Sequence, residues 1–206
     1  MVENGTLIEK IEKHPRVWFA VSAVIALICL LSGLTGLLVK SDIDVKDIEK
    51  APFYGHAEAE VTERDNDEDF EIRNSFCRFI PTGNEYFFRV CTKDGTWLFV
   101  RADKNADIEK KTVIGGRVRK FSGDEKKYLL DKYAIDTHNY IDMTWIRISL
   151  LQIASGLLMA FEILLGAAMI KDKISAESKM RNAAEIVFCA LPFPFAAIWI
   201  YLLCHL

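Results

Sequence analysis

Histidine and cysteine are scarce in this chain, with 4 and 5 copies among 206 residues. Neither set is spaced to hold a metal. There is no CxxC pair, and His14, His56, His138 and His205 form no HxxxH or related ligand pattern, so neither a zinc site nor a redox dithiol is expected. Cys29, Cys189 and Cys204 fall in apolar blocks, where a thiol packs as a small hydrophobe. Only Cys77 and Cys91 lie in polar sequence, too few for a disulfide framework. A GxSxG elbow, a phosphate-binding loop and a GxGxxG turn are absent as well. No catalytic residue, metal ligand or cofactor is assigned, and no reaction is indicated. The polar part of the chain is slightly acidic, which argues against nucleic acid as a partner.

What the chain has in quantity is apolar sequence, gathered in three blocks. Residues 17–39 carry no charge, residues 145–170 carry Arg147 and Glu162, and residues 183–206 carry only Glu185. Each block reaches the ~20 residues that a helix needs to cross a bilayer, and a buried soluble helix rarely stays apolar on every face for so long. The expectation is a multi-pass cell-membrane protein with three transmembrane helices. The first block is too long for a signal-peptide core and no small-residue cleavage site follows it, so it reads as a retained anchor.

Orientation follows from the short basic segments. The tail, residues 1–16, holds Lys10, Lys13 and Arg16, and the loop 171–182 holds Lys171, Lys173, Lys179 and Arg181. Three spans place both segments on one side, and the positive-inside rule makes that side cytoplasmic, with residues 40–143 outside. Lys40, Lys46 and Lys50 argue weakly for the reverse.

Between the first two spans the pattern turns to strands. After an acidic tether over residues 40–55, alternating or aromatic-rich stretches cover 56–62, 70–80, 85–92, 96–102 and 112–121. Pro81-Thr82-Gly83-Asn84 and Lys93-Asp94-Gly95 separate consecutive strands, and Asp94-Gly95 predicts a type I′ turn. Gly115-Gly116 predicts a bulge or bend. Ser122 and Glu125 have capping-box spacing ahead of an amphipathic helix with Tyr128, Leu129, Leu130 and Tyr133 on its apolar side; Thr6 and Glu9 repeat the spacing in the tail. The fold class is therefore an α+β membrane protein: three transmembrane helices with an inserted small antiparallel β-domain of about five strands plus one helix, barrel-like or a curled sheet. Five strands suit an OB-type barrel. There the helix usually follows the third strand, whereas here it comes last, and the chain is not assigned to that family. A hairpin around Thr82-Gly83 pairs Cys77 with Phe88 and Asn74 with Cys91, which puts the two sulfurs on opposite faces and predicts two free thiols.

Charge is unevenly distributed, with 12 acids against 4 bases over residues 40–71 and 10 against 14 over residues 72–143. The run from Glu58 to Glu71 fails as a calcium loop, since Phe70 stands where glycine is needed and Phe76 where glutamate is needed. It reads as a solvated hairpin tip. Arg117 and Arg119 share one strand face, taken as the solvent face.

The spans carry the more specific pattern. Ser22, Ala26, Cys29, Gly33 and Gly36 recur at helical spacing, as do Gly156, Ala160 and Ala167, with Gly166 on the face beside them, and such small residues allow close helix approach. Gln152, Ser155 and Glu162 share one helix face as a polar seam within the membrane. Pro192 and Pro194 are expected to kink the third span. The leading functional expectation is a membrane-anchored interaction or binding protein that presents an extracytoplasmic β-domain to a ligand or envelope partner. Its partners would be the lipid bilayer and, through the spans, another protein or a second copy. The alternative is a subunit of a transport-related or membrane-embedded enzymatic complex that uses Glu162.

Overall fold

The computed structural model describes residues 15–121, 123, 129, 132, 137–170 and 179–205. The tail motif at Thr6–Glu9, most of the helix expected after Ser122, and residues 171–178 lie outside the described residues. The chain divides into two compact units, one of residues 1–34 and 150–203, the other of residues 35–149 and 204–206.

The helical elements are α1 (Pro15–Leu38), α2 (Trp145–Ile170), α3 (Lys179–Ala190) and α4 (Pro192–His205). They supply three stretches long and apolar enough to cross a membrane: Val17–Leu38, Trp145–Ile170 and Asn182–His205. The third is α3 and α4 in series, interrupted at Leu191. Pro192 and Pro194 have no N–H to donate to the preceding turn. Leu191 N still donates to Val187 O at 3.0 Å and Phe195 N to Leu191 O at 3.4 Å, so the path continues.

Within the first unit, the buried positions of α1 are Ser22, Ala26, Cys29 and Gly33, while Val17, Val21, Val24, Leu27, Ile28 and Leu31 are exposed. An exposed aliphatic surface of this kind suits lipid. Small residues set the helix contacts. A Cβ added at Gly156 would lie 2.6 Å from Leu30 Cγ, and one at Gly166 would lie 2.9 Å from the Trp18 ring and 3.2 Å from Phe188. Met169, Ala184 and Phe188 are buried together, with Trp18 and Leu165 packed against them.

The second unit is a six-strand mixed sheet curled into a near-ring. Its strands are β1 (Ser41–Asp42), β2 (Gly55–Phe76), β3 (Ile80–Thr92), β4 (Trp97–Ala102), β5 (Val113–Lys120) and β6 (Asn139–Asp142). The order β1-β2-β3-β4-β6-β5, with β5 pairing again to β2, returns the sheet to its start. The long β2 makes this closure. Its first part, His56 to Glu60, pairs with β5, and its later part, from Val61 on, pairs with β3.

Several local expectations are corrected. The sheet is mixed, because β4 and β6 are parallel and the two-residue β1 is parallel to β2. The first hairpin turns at residues 77–79, not at 81–84, so Asn74 faces Gly83 and Cys91 faces Glu63. Cys77 and Cys91 are free thiols, as expected, but they are kept apart by this different register. At the second hairpin only Gly95 has positive φ; Gly95 N donates to Thr92 O at 2.8 Å and Thr92 N to Thr96 O at 3.0 Å, a three-residue loop in place of type I′. Gly115-Gly116 makes no bulge in the β2–β5 register. Gly116 instead permits close strand approach, since its Cβ would lie 2.7 Å from the carbonyl carbon of Asp142.

Two apolar clusters fill the sheet. Val61, Phe88, Val90, Leu98, Val100, Ile114, Val118 and Ile141 form the barrel interior, closed by Val45 and Ile48 of the 3-10 turn Val45–Lys50. On the other face, Phe87, Phe99, Phe121 and Tyr140 cluster with Leu129, and the Phe70 ring stacks on Phe87 at 4.8 Å.

Candidate functional site

Parallel pairing of β4 with β6 places Arg101 opposite Asp142. Both are buried, at 3% and 0% exposure, and such charges persist only when paired and hydrogen-bonded. The Asp142 carboxylate is satisfied on every side. Arg101 Nε donates to Oδ1 at 3.1 Å and Arg101 Nη2 to Oδ2 at 2.7 Å, a bidentate pair. Arg119 Nε lies 2.8 Å from Oδ2. Thr144 adds its backbone N–H at 2.8 Å and its hydroxyl at 2.7 Å, both to Oδ1.

Arg101 reaches further. Its Nη1 donates to Glu85 Oε1 at 3.0 Å and to the backbone oxygen of His205 at 3.1 Å. The His205 ring is buried beside them, with Nδ1 2.9 Å from Glu85 Oε1 and Nε2 3.2 Å from Thr82 O. One knot thus joins β3, β4, β5, β6 and the last turn of α4. Burial opposes the charge on Arg101, but Asp142 and Glu85 outweigh it and raise its pKa above the ordinary value. Burial likewise pushes the Tyr140 hydroxyl up. Two arginines meet two carboxylates here, a balanced set that holds structure and leaves no surplus charge for an ionic ligand.

A second cluster surrounds the residues that lead out of α1 and into α2. Arg117 is buried, donates to the backbone oxygens of Gly36 and Val39, and lies over the rings of Tyr54 at 5.1 Å and Trp145 at 5.2 Å. Lys40 sits over the other part of Trp145 at 5.5 Å, the His56 ring meets it edge-on at 6.0 Å, and Tyr54 Oη donates to Thr35 Oγ1 at 3.3 Å. Burial, with Arg119 next, lowers the Arg117 pKa, and burial, with Lys40 next, lowers that of His56. The face shared by Arg117 and Arg119 is therefore a packed face, contrary to the solvent face expected.

The acidic run is also not a hairpin tip. The β2–β3 register jumps between Asp65 and Phe70, so residues 66–69 are extruded from the middle of β2. Arg64 pairs with Asp69 at 2.6 Å, Arg89 pairs with Asp65 at 3.5 Å and with Glu68, and Arg89 N donates to Asp69 Oδ1 at 3.1 Å. Among the described residues no group of three histidine, cysteine or acidic side chains is placed to hold a metal ion.

The residues singled out in the spans are distributed as follows. Ser22, Ala26 and Gly33 are buried on α1, and Gly36 is half-buried beside Ser149. On α2, Ser155, Gly156, Glu162 and Gly166 are buried, while Gln152 and Ala160 are half-buried. Ser155 is fully buried and donates from Oγ to Gln152 O at 2.8 Å. Glu162 is 7% exposed and has no ion-pair partner among the described residues.

Sequence reasoning passed over Arg101, Glu85 and Asp142. A usable signal was present. Arg101 sits in WLFVRA, apolar on both faces, and Asp142 sits in an apolar run three residues before Trp145. Comparison with protein-family models, curated proteins and solved structures yields no match.

Proposed function

We propose that the chain is a membrane-anchored binding protein that presents its β-barrel outside the cytoplasm to a ligand or an envelope partner. The observation that carries this reading is the way the barrel is built onto the chain's membrane-entry points. Residues 35–38, 145–149 and 204–205 belong to the barrel's own compact unit. They are held there by the Arg117–Trp145 and Arg101–Asp142–His205 contacts. A free-standing enzyme domain on a tether has no need of such joints; a module that must display one face at a fixed height above lipid does. The orientation rests on the seven basic residues of the tail and the short loop. The exposed Glu63, Asn66, Asp67 and Glu71 of β2 offer a polar face to a partner. The test is photo-crosslinking in native membranes from Glu63 and Asp67. A discrete crosslinked partner is expected; a pattern no different from that of Val24, which faces lipid, would overturn the reading.

A second reading is favoured by Glu162. A carboxyl group buried on α2, about two turns from Ser155, is costly in hydrocarbon unless it meets a partner or water. In this reading the chain is a subunit of a transport-related or membrane-embedded enzymatic complex, assembled through Gln152, Ser155 and Glu162. Solute flux in vesicles holding the pure protein would favour it over the first reading.

A further inference from the structure

The β2–β3 hairpin is longer than the barrel requires. β4 covers β3 only from Tyr86 to Cys91, so beyond Tyr86 the two strands continue as a ribbon to the turn at residues 77–79. Its direction is fixed by the strands. β6 runs toward Trp145, where α2 begins, β4 is parallel to β6, and β3 is antiparallel to β4. Followed from Tyr86 to Ile80, the ribbon therefore advances toward the side on which the chain enters α2. The far end of the third apolar stretch gives the height. His205, its last residue, packs on the ribbon itself, with Nδ1 3.3 Å from Asn74 Nδ2 and Nε2 3.4 Å from where a Gly83 Cβ would sit.

From the Asn74–Gly83 pair to the turn is about three residues, or ~10 Å of strand. Over that length the ribbon exposes Phe79 at 76% and Ile80 at 44%, with Cys77 and Arg78 also exposed. Elsewhere in the same unit, Phe53 is 87% exposed beside Tyr54, the residue hydrogen-bonded to Thr35 in the last turn of α1. Exposed aromatic and aliphatic side chains flanked by an arginine, at the level where spans end, match the headgroup–acyl boundary, where amphipathic elements sit about 5–10 Å deep.

We infer that the tip of the β2–β3 ribbon, residues 76–80, is a lipid-binding wedge that inserts into the headgroup–acyl boundary of the leaflet in which the third span ends. The occupant is the bilayer. Full insertion into hydrocarbon is excluded by the ribbon's two open edges, whose unpaired backbone groups need water or headgroups. Arg78 then meets lipid phosphate while Phe79 and Ile80 reach the upper acyl chains.

The test uses the full chain in vesicles of phosphatidylcholine and phosphatidylglycerol. The native Cys77 thiol carries an environment-sensitive fluorophore, with the other four cysteines replaced by alanine. A control carries the probe at Asp94→Cys, in the hairpin at the other end of β3. The expected result at Cys77 is a blue-shifted emission, protection from aqueous iodide, and quenching by lipids bearing a nitroxide near the top of the acyl chain, with none of these at position 94. Phe79→Asp with Ile80→Asp should abolish the lipid quenching. Iodide quenching equal to that at position 94 overturns the inference. So does protection from iodide without lipid quenching, which would mean that protein covers the tip, and so does lipid quenching that survives the double aspartate variant.

Discussion

Replacing Asp142 by asparagine is the sharpest perturbation of this fold. The side chain keeps its size, but the one fully buried anion that faces Arg101 and Arg119 is lost. Arg101 retains Glu85 and the His205 carbonyl, so it is not stranded. Arg119 loses its carboxylate, and in either orientation the amide directs a donor at Arg101, which binds both oxygens. Breaking a buried pair from one side costs about 3–5 kcal/mol, and the remaining contacts place this case near ~3 kcal/mol. For a domain of this size that corresponds to a fall in Tm on the order of 10–20 °C. The assay is thermal unfolding in detergent, followed by near-ultraviolet circular dichroism of the aromatic cluster, which reports the barrel. A Tm for Asp142→Asn within the range of the exposed control Asp67→Asn would refute the reasoning.

His56 should make stability depend on pH. Its folded pKa is lowered by burial and by Lys40, so below the unfolded value of about 6.5 the unfolded chain takes up a proton that the fold resists, and stability falls as pH falls through that value. The difference in Tm between the parent and His56→Gln, measured from about pH 7.5 down to about pH 5.5, should shrink in that direction; a constant difference would show that His56 titrates alike in both states. Gly116→Ala forces a Cβ against the Asp142 backbone and should cost about 1–3 kcal/mol, whereas Gly115→Ala meets only the flexible Glu58 side chain and should cost less, as read by the same melts. Glu162→Gln should keep detergent-resistant association of the spans and Glu162→Leu should weaken it; parental association in both would remove the polar seam from the account. Engineered cysteines at Asn66 and Ser175 should react oppositely with an impermeant thiol reagent on intact cells, Asn66 alone being labelled.

The spans were legible in the sequence because the bilayer imposes one crude requirement, an apolar length, and three blocks meet it without competition from any soluble alternative. The strands of the barrel were legible where apolar and aromatic residues run together between turn residues, at residues 85–92 and 96–102. Legibility failed where register depends on contacts between distant segments. The Pro81–Asn84 stretch has turn composition, yet the chain turns at Cys77-Arg78, two residues with no preference for positive φ. Residues 66–69 are extruded from β2, and their extrusion is held by Arg64 and Arg89, of which Arg89 lies on the next strand. The strand β6 escaped notice because it is four residues long and ends in a charged side chain. Its place is set by β4 and β5, neither adjacent in sequence.

The same residue explains why that short strand matters. Only Met143 and Thr144 separate β6 from α2, and Thr144 binds Asp142 Oδ1 through both its backbone N–H and its hydroxyl. Asp142 therefore shapes the chain's passage from strand to helix while it neutralises Arg101. A neutral hydrogen-bonding side chain could perform the first task, as serine and asparagine do at helix starts. An acid anywhere near Arg101 could perform the second, and Glu85 already does so in part. Combining them joins the start of α2 to a knot that also contains the end of α4. Arg117 makes the equivalent link two residues before Arg119 on β5, through the carbonyls that end α1. The two arginines make their hydrogen bonds to separate partners. Each of the three passages between barrel and apolar helix thus has its own buried cation, or a share in one.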